Sequence, residues 1–97
     1  MERQYETAFI LNASLDDSEI DKKLAQIEEI VTREGGTVGE WNRWGKRKLS
    51  YPIRKQHEGY YAFLTFKADP PVIDGLGKIY RLDEQIVRHM TINMEED

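Results

Sequence analysis

What most constrains this chain is a repeated change in the spacing of its apolar residues, from strand-like alternation to a helical period and back. Tyr5 to Leu11 is rich in aromatic and branched residues and ends at Asn12-Ala13-Ser14, as a strand running into a turn does. Asp16 with Glu19 three residues on supplies the side chains of a helix N-cap, and Leu15 is placed to staple to Ile20. Ile20, Leu24, Ile27 and Val31 then recur at spacings of four, three and four, with Asp21, Lys22, Glu28 and Glu29 on the other side, until Gly35-Gly36 stops the helix. Thr37 to Ile53 returns to a strand pattern, with Gly39 and Gly45 marking bends or bulges. Pro52 cannot donate a ladder hydrogen bond, which puts this strand at an edge. Arg54 to Gly59 is polar enough for a turn, and Tyr60 to Ala68, the most strand-like run, is expected at the centre of the sheet. Asp69 and Pro70 offer an N-cap and a first-turn proline for a second helix along Val72, Leu76 and Ile79. Gly75 and Gly77 each weaken that helix by about 1 kcal/mol relative to alanine. Ile86 to Met94 closes the chain as a strand, and Glu95-Glu96-Asp97 is expected to fray.

Strand, helix, strand, strand, helix, strand is the split β-α-β order: an α+β fold in which two helices cover one face of a four-stranded antiparallel sheet and leave the other open. Ninety-seven residues suit one such domain, spanning 1–97. No apolar run approaches the ~20 residues of a membrane span, and Met1-Glu2-Arg3-Gln4 does not open a secretory signal. No cysteine is present, which removes disulfides and thiolate chemistry. A soluble, cytoplasmic protein without membrane contact is expected.

The net charge of -4 argues against a protein that grips RNA alone. The charge is uneven, however. Residues 41–60 hold six bases and one acid, while 1–40 hold four bases and ten acids. In this basic island Trp41, Trp44 and Tyr51 are interleaved with Arg43, Lys46, Arg47, Lys48, Arg54 and Lys55, which suits either phosphate contact with stacking or a solvated hairpin arm. His57 and His89 sit in no metal or triad spacing and read as structural or surface residues. The acid pairs Asp16-Asp17 and Glu28-Glu29 read as solvated helix faces. Gly75-Leu76-Gly77-Lys78 lacks the gap and the following Ser or Thr of a phosphate loop. Tyr61-Ala62-Phe63-Leu64-Thr65-Phe66 matches most of the aromatic strand of an RNA-recognition motif, a pattern that ordinary sheet packing also produces.

Trp44-Gly45-Lys46-Arg47-Lys48-Leu49-Ser50-Tyr51-Pro52-Ile53 resembles the signature of the bacterial small-subunit ribosomal protein six family. The likeness extends to Arg3-Gln4-Tyr5-Glu6, to Gly59-Tyr60-Tyr61 and to the stretch from Arg81 through Arg88 to His89. Ser50 stands where the family usually has alanine, Glu2 precedes the opening arginine, and the tail is short. The resemblance implies a ferredoxin-like fold and a structural, non-enzymatic place on the platform of the small ribosomal subunit. It further implies contact with the central domain of the small-subunit RNA and pairing with small-subunit ribosomal protein eighteen, with no catalytic residue, cofactor, metal or small-molecule substrate. By similarity the RNA-facing residues are Arg3, Arg81 and Arg88; Lys46 and Arg47 join them from the basic island. A basic partner also reconciles an acidic chain with a phosphate-rich assembly.

Two other functions share this fold. An acyl-phosphatase-like enzyme needs an arginine in a phosphate-cradling loop, and Asn12 to Asp16 has none. A free-standing single-strand RNA-binding module needs Phe9, Tyr61 and Phe63 exposed together. The ribosomal reading instead turns Tyr5, Thr7, Phe9 and Leu11 toward the helices and leaves Glu6, Ala8 and Ile10 on the open face, since successive strand residues alternate. The opposite register would bury the Glu6 carboxylate. With Tyr60, Leu64 and Phe66 in the core, Ile10, Tyr61 and Phe63 would then form an open apolar patch suited to a partner protein.

Overall fold

The computed structural model describes residues 1–53 and 55–95. Its elements run β1 (Arg3–Asn12), α1 (Asp17–Arg33), β2 (Thr37–Ile53), β3 (Gln56–Ala68), α2 (Pro70–Arg81) and β4 (Ile86–Asn93), forming one antiparallel sheet in the order β2-β3-β1-β4. This is the ferredoxin-like arrangement expected, with β2 at an edge and β3 inside.

The capping box at α1 forms as its sequence demands: the Asp16 side chain accepts from the Glu19 N–H at 2.8 Å, and Glu19 accepts from the Asp16 N–H at 3.0 Å. Asp69 does not cap α2 with its side chain. Pro70 and Pro71 leave Val72 as the first available donor, which bonds to the Asp69 carbonyl at 2.9 Å, while the carboxylate pairs with the Met1 ammonium at 3.2 Å. The expected turn over 54–59 is shorter than its polarity suggested. β3 already begins at Gln56, opposite Ile53, and Lys55 takes the sharp bend at φ 66°. Arg54 lies outside the described residues, as do Glu96 and Asp97. Glu95, placed with the fraying tail, accepts from the Gln4 N–H at 3.2 Å and lies 3.8 Å from Arg3.

The core lies between sheet and helices. Tyr5, Phe9 and Leu11 of β1 and Tyr60, Ala62, Leu64 and Phe66 of β3 pack with Ile20, Leu24, Ile27 and Val31 of α1 and with Leu76 and Tyr80 of α2. The buried polar residues Thr7 and Lys23 are paired: the Thr7 and Thr91 hydroxyls lie 2.7 Å apart, and Lys23 donates to Asp83 at 2.6 Å, tying α1 to the turn before β4. Phe9 is 0% exposed and lies edge-on to Tyr80, whereas Ile10 is only partly covered. The register is therefore the one that keeps Glu6 out of the core, and Phe9 is withheld from any stacking surface.

Candidate functional site

The uncovered face of the sheet is assembled in rows. Ile10 lies between Tyr61 and Arg88, Ala8 between Phe63 and Met90, and Glu6 between Thr65 and Ile92. Residues directly opposite in neighbouring strands share a face, so Ile10, Tyr61 and Phe63 meet there as expected.

β2 adds to this face through a bulge. One residue, Trp44, is inserted between Arg43 and Gly45 where β3 advances only from Ala62 to Tyr61, and Gly45 supplies the left-handed φ of 84° that the insertion requires. The Trp44 ring consequently turns onto Phe63 at 4.7 Å and stacks near Tyr61 at 6.4 Å, and the Arg47 guanidinium lies 5.8 Å from its centre. Beyond it the hairpin leans over the sheet. A side chain at Gly59 would collide with Ile10 and meet Leu49, and Arg88 donates to the Tyr51 hydroxyl at 2.7 Å. That bond, with the partial negative charge of the phenol oxygen, holds the Arg88 guanidinium above its ordinary pKa.

The basic island does not act as one surface, because the bulges divide it between the two faces. Trp41 packs on Phe9 from the helix side and donates to Glu28 at 3.0 Å; Arg43 donates to the Tyr60 hydroxyl at 2.8 Å and pairs with Asp21 of α1 at 2.9 Å. Both therefore fasten the hairpin to α1, on the face opposite Trp44. Lys46 and Arg47 are exposed; Lys46 lies opposite Tyr60, which is in the core, so it sits on the helix side of the edge.

The five cations singled out from sequence are only partly gathered. Arg47 (opposite Gly59), Arg88 (opposite Ile10) and Arg81, which ends α2 just before β4, lie toward the end of the sheet where β1 finishes. Arg3 lies at the other end, opposite Ala68 and near Glu95. Trp44, Leu49, Met90 and Ile92 were not assigned to the open face by sequence reasoning. The last two share the parity of Arg88 in β4 and could have been found from it, whereas Trp44, which a regular strand would place on the core face with Val38, required knowledge of the register shift between Val38 and Trp41.

These features define a class: a small α+β domain with helices on one sheet face and, on the other, an exposed aromatic patch bordered by cations at one end. A family model for ribosomal protein S6 matches residues 4–93. The chain is 40% identical to small ribosomal subunit protein bS6 of Clostridium novyi (strain NT) over 94 residues, 97% of this chain and 99% of that relative. It is 39% identical to the bS6 of Clostridium botulinum (strain 657 / Type Ba4) over 93 residues, 96% of this chain and 99% of the relative. The crystal structure of 30S ribosomal protein S6 from Thermotoga maritima superposes with a TM-score of 0.89 at 29% identity, covering 96% of this chain and 88% of that one. The chain belongs to the ribosomal protein S6 family: it is a structural, non-enzymatic constituent of the bacterial small ribosomal subunit, ribosome-bound in the cytoplasm.

Proposed function

We propose that this chain binds the central domain of the small-subunit ribosomal RNA jointly with a basic partner, small-subunit ribosomal protein eighteen. The observation that carries the reading is the composition of the open face: Ile10, Tyr61, Phe63 and Trp44 offer apolar contact, and Arg88 and Arg47 stand at its hairpin end. An aromatic patch of this kind suits a protein partner, because exposed apolar area is matched by apolar area and aromatic side chains dominate interface energetics. Arg88, Arg47, Lys46 and Arg81 would meet RNA at that end, and Arg3 at the other. The rest of the chain is acidic, giving -4 in total, so the partner must supply most of the phosphate neutralisation.

The test is a titration of a central-domain RNA fragment by this chain alone, by protein eighteen alone, and by both. Weak, salt-sensitive binding by the lone chain and much tighter binding by the pair are expected. Tight, salt-insensitive binding by the lone chain would overturn the reading.

A further inference from the structure

The two edges of the sheet are built differently. β2 breaks register with β3 three times, contains Gly39, Gly45 and Pro52, and carries Glu40, Arg43, Lys46, Arg47 and Lys48. Bulges, prolines and charges are the devices that keep an edge strand from pairing with another chain. β4 lacks them where it matters: its register with β1 is unbroken from Tyr5–Asn93 to Ile10–Arg88, and His89-Met90-Thr91-Ile92-Asn93 contains no Asp, Glu, Lys, Arg, glycine or proline.

The backbone of this edge also faces outward. The Met94 N–H donates to the Gln4 carbonyl at 2.9 Å. Alternation in an antiparallel ladder then directs the N–H and C=O groups of Met90 and Ile92 to β1 and those of His89, Thr91 and Asn93 away from it. The close approach of the Thr7 and Thr91 hydroxyls, 2.7 Å, fits this assignment, since side chains come nearest in pairs that exchange no backbone bonds. Among the described residues no strand lies on the outer side of β4.

The same strand continues the apolar face. Met90 and Ile92 are 63% and 50% exposed and sit in rows that lead through Ala8 to Phe63 and through Glu6 to Thr65. Glu6 makes no ion pair among the described residues. It lies one strand inward from the edge, two strand spacings or ~9.6 Å from a strand beyond β4, a gap that a long cationic side chain and the Glu6 side chain close together by passing beside Ile92.

We propose that an extended segment of the basic partner adds as a further strand along the outer edge of β4, with apolar side chains beside Met90 and Ile92 and a lysine or arginine directed at Glu6. This rests on the reading of the open face as the partner's seat and specifies how the partner is held there: main-chain bonds to His89, Thr91 and Asn93 provide affinity, and alternate side chains provide selectivity. A second copy of this chain fits less well, because it would bring another net charge of -4 and no excess of cations to meet Glu6.

Amide hydrogen exchange on the full chain, read by NMR with and without small-subunit ribosomal protein eighteen, tests this. In the complex, exchange at His89, Thr91 and Asn93 should slow by about tenfold or more as these amides gain bonded partners, while the resonances of Ile10 and Phe63 shift. If Ile10 and Phe63 shift and the three amides exchange as before, the partner covers the face without adding a strand, and only this inference falls. If neither responds, the proposed function falls with it. Slowing in the chain alone that grows with its concentration would assign the edge to a second copy and overturn the proposal.

Discussion

At His89 two neighbours oppose a charged ring. Burial against Tyr80, whose ring centre lies 5.4 Å away, is the larger effect, and the Arg81 guanidinium adds to it, so the imidazole pKa falls below 6.5. A lowered pKa in the folded state means that the unfolded chain takes up the proton first. The associated stability is complete above about pH 6.5 and is lost as pH falls through the folded-state value. Melting temperatures measured between about pH 7.5 and pH 5.5 should decline less for His89→Gln than for the parent chain; equal slopes would contradict the assignment. Arg88 has a different task. It is exposed and bonds to Tyr51 at 2.7 Å, and surface substitutions away from caps and cores shift stability little. Arg88→Ala should therefore weaken formation of the RNA–partner complex while leaving the melting temperature nearly unchanged. A sharp fall in melting temperature with assembly intact would make the residue structural.

At the scale of elements, the attachment of β2 depends on backbone approach. A Cβ at Gly39 would sit 2.7 Å from both the Thr65 carbonyl oxygen and its hydroxyl and 3.2 Å from the carbonyl carbon, where backbone cannot easily yield. Gly39→Ala is expected to destabilise the domain by about 1–3 kcal/mol in urea titrations, the usual range for overpacking; an unchanged midpoint would show that the strand slides freely. The sequence made α1 readable to within a residue or two, because its cap, apolar stripe and terminal glycines all agree. It left β2 half readable. The edge position followed from Pro52, but the register shift between Val38 and Trp41 puts Trp41 on the core face with Val38 despite their odd spacing and so turns Trp44 to the open face, and the shift between Arg43 and Gly45 resets the residues after it. The same limit applied to the cations: spacing identified a basic island, and only the register revealed that Arg43 is engaged with Tyr60 and Asp21. The role of Asp69 was obscured because Pro71 removes one of the two amides a capping side chain would receive, and the other, that of Val72, bonds to the Asp69 carbonyl.

At the scale of the whole molecule, the division of labour between faces is the central claim. One face stabilises the domain by burying Phe9, Leu64, Phe66 and Tyr80 under the helices. The other keeps Tyr61, Phe63 and Trp44 accessible at the cost of a stickier surface, which is expected of a protein that is rarely free of its assembly. Calorimetric titration of small-subunit ribosomal protein eighteen into the parent chain and into a Tyr61→Ala, Phe63→Ala double variant tests that division most directly. Aromatic anchors at interface centres contribute about 2 kcal/mol or more each, so loss of both should lower affinity by roughly several hundredfold. Circular dichroism should show the variant folded, since both rings lie outside the core. An unchanged affinity in a folded variant would contradict the account.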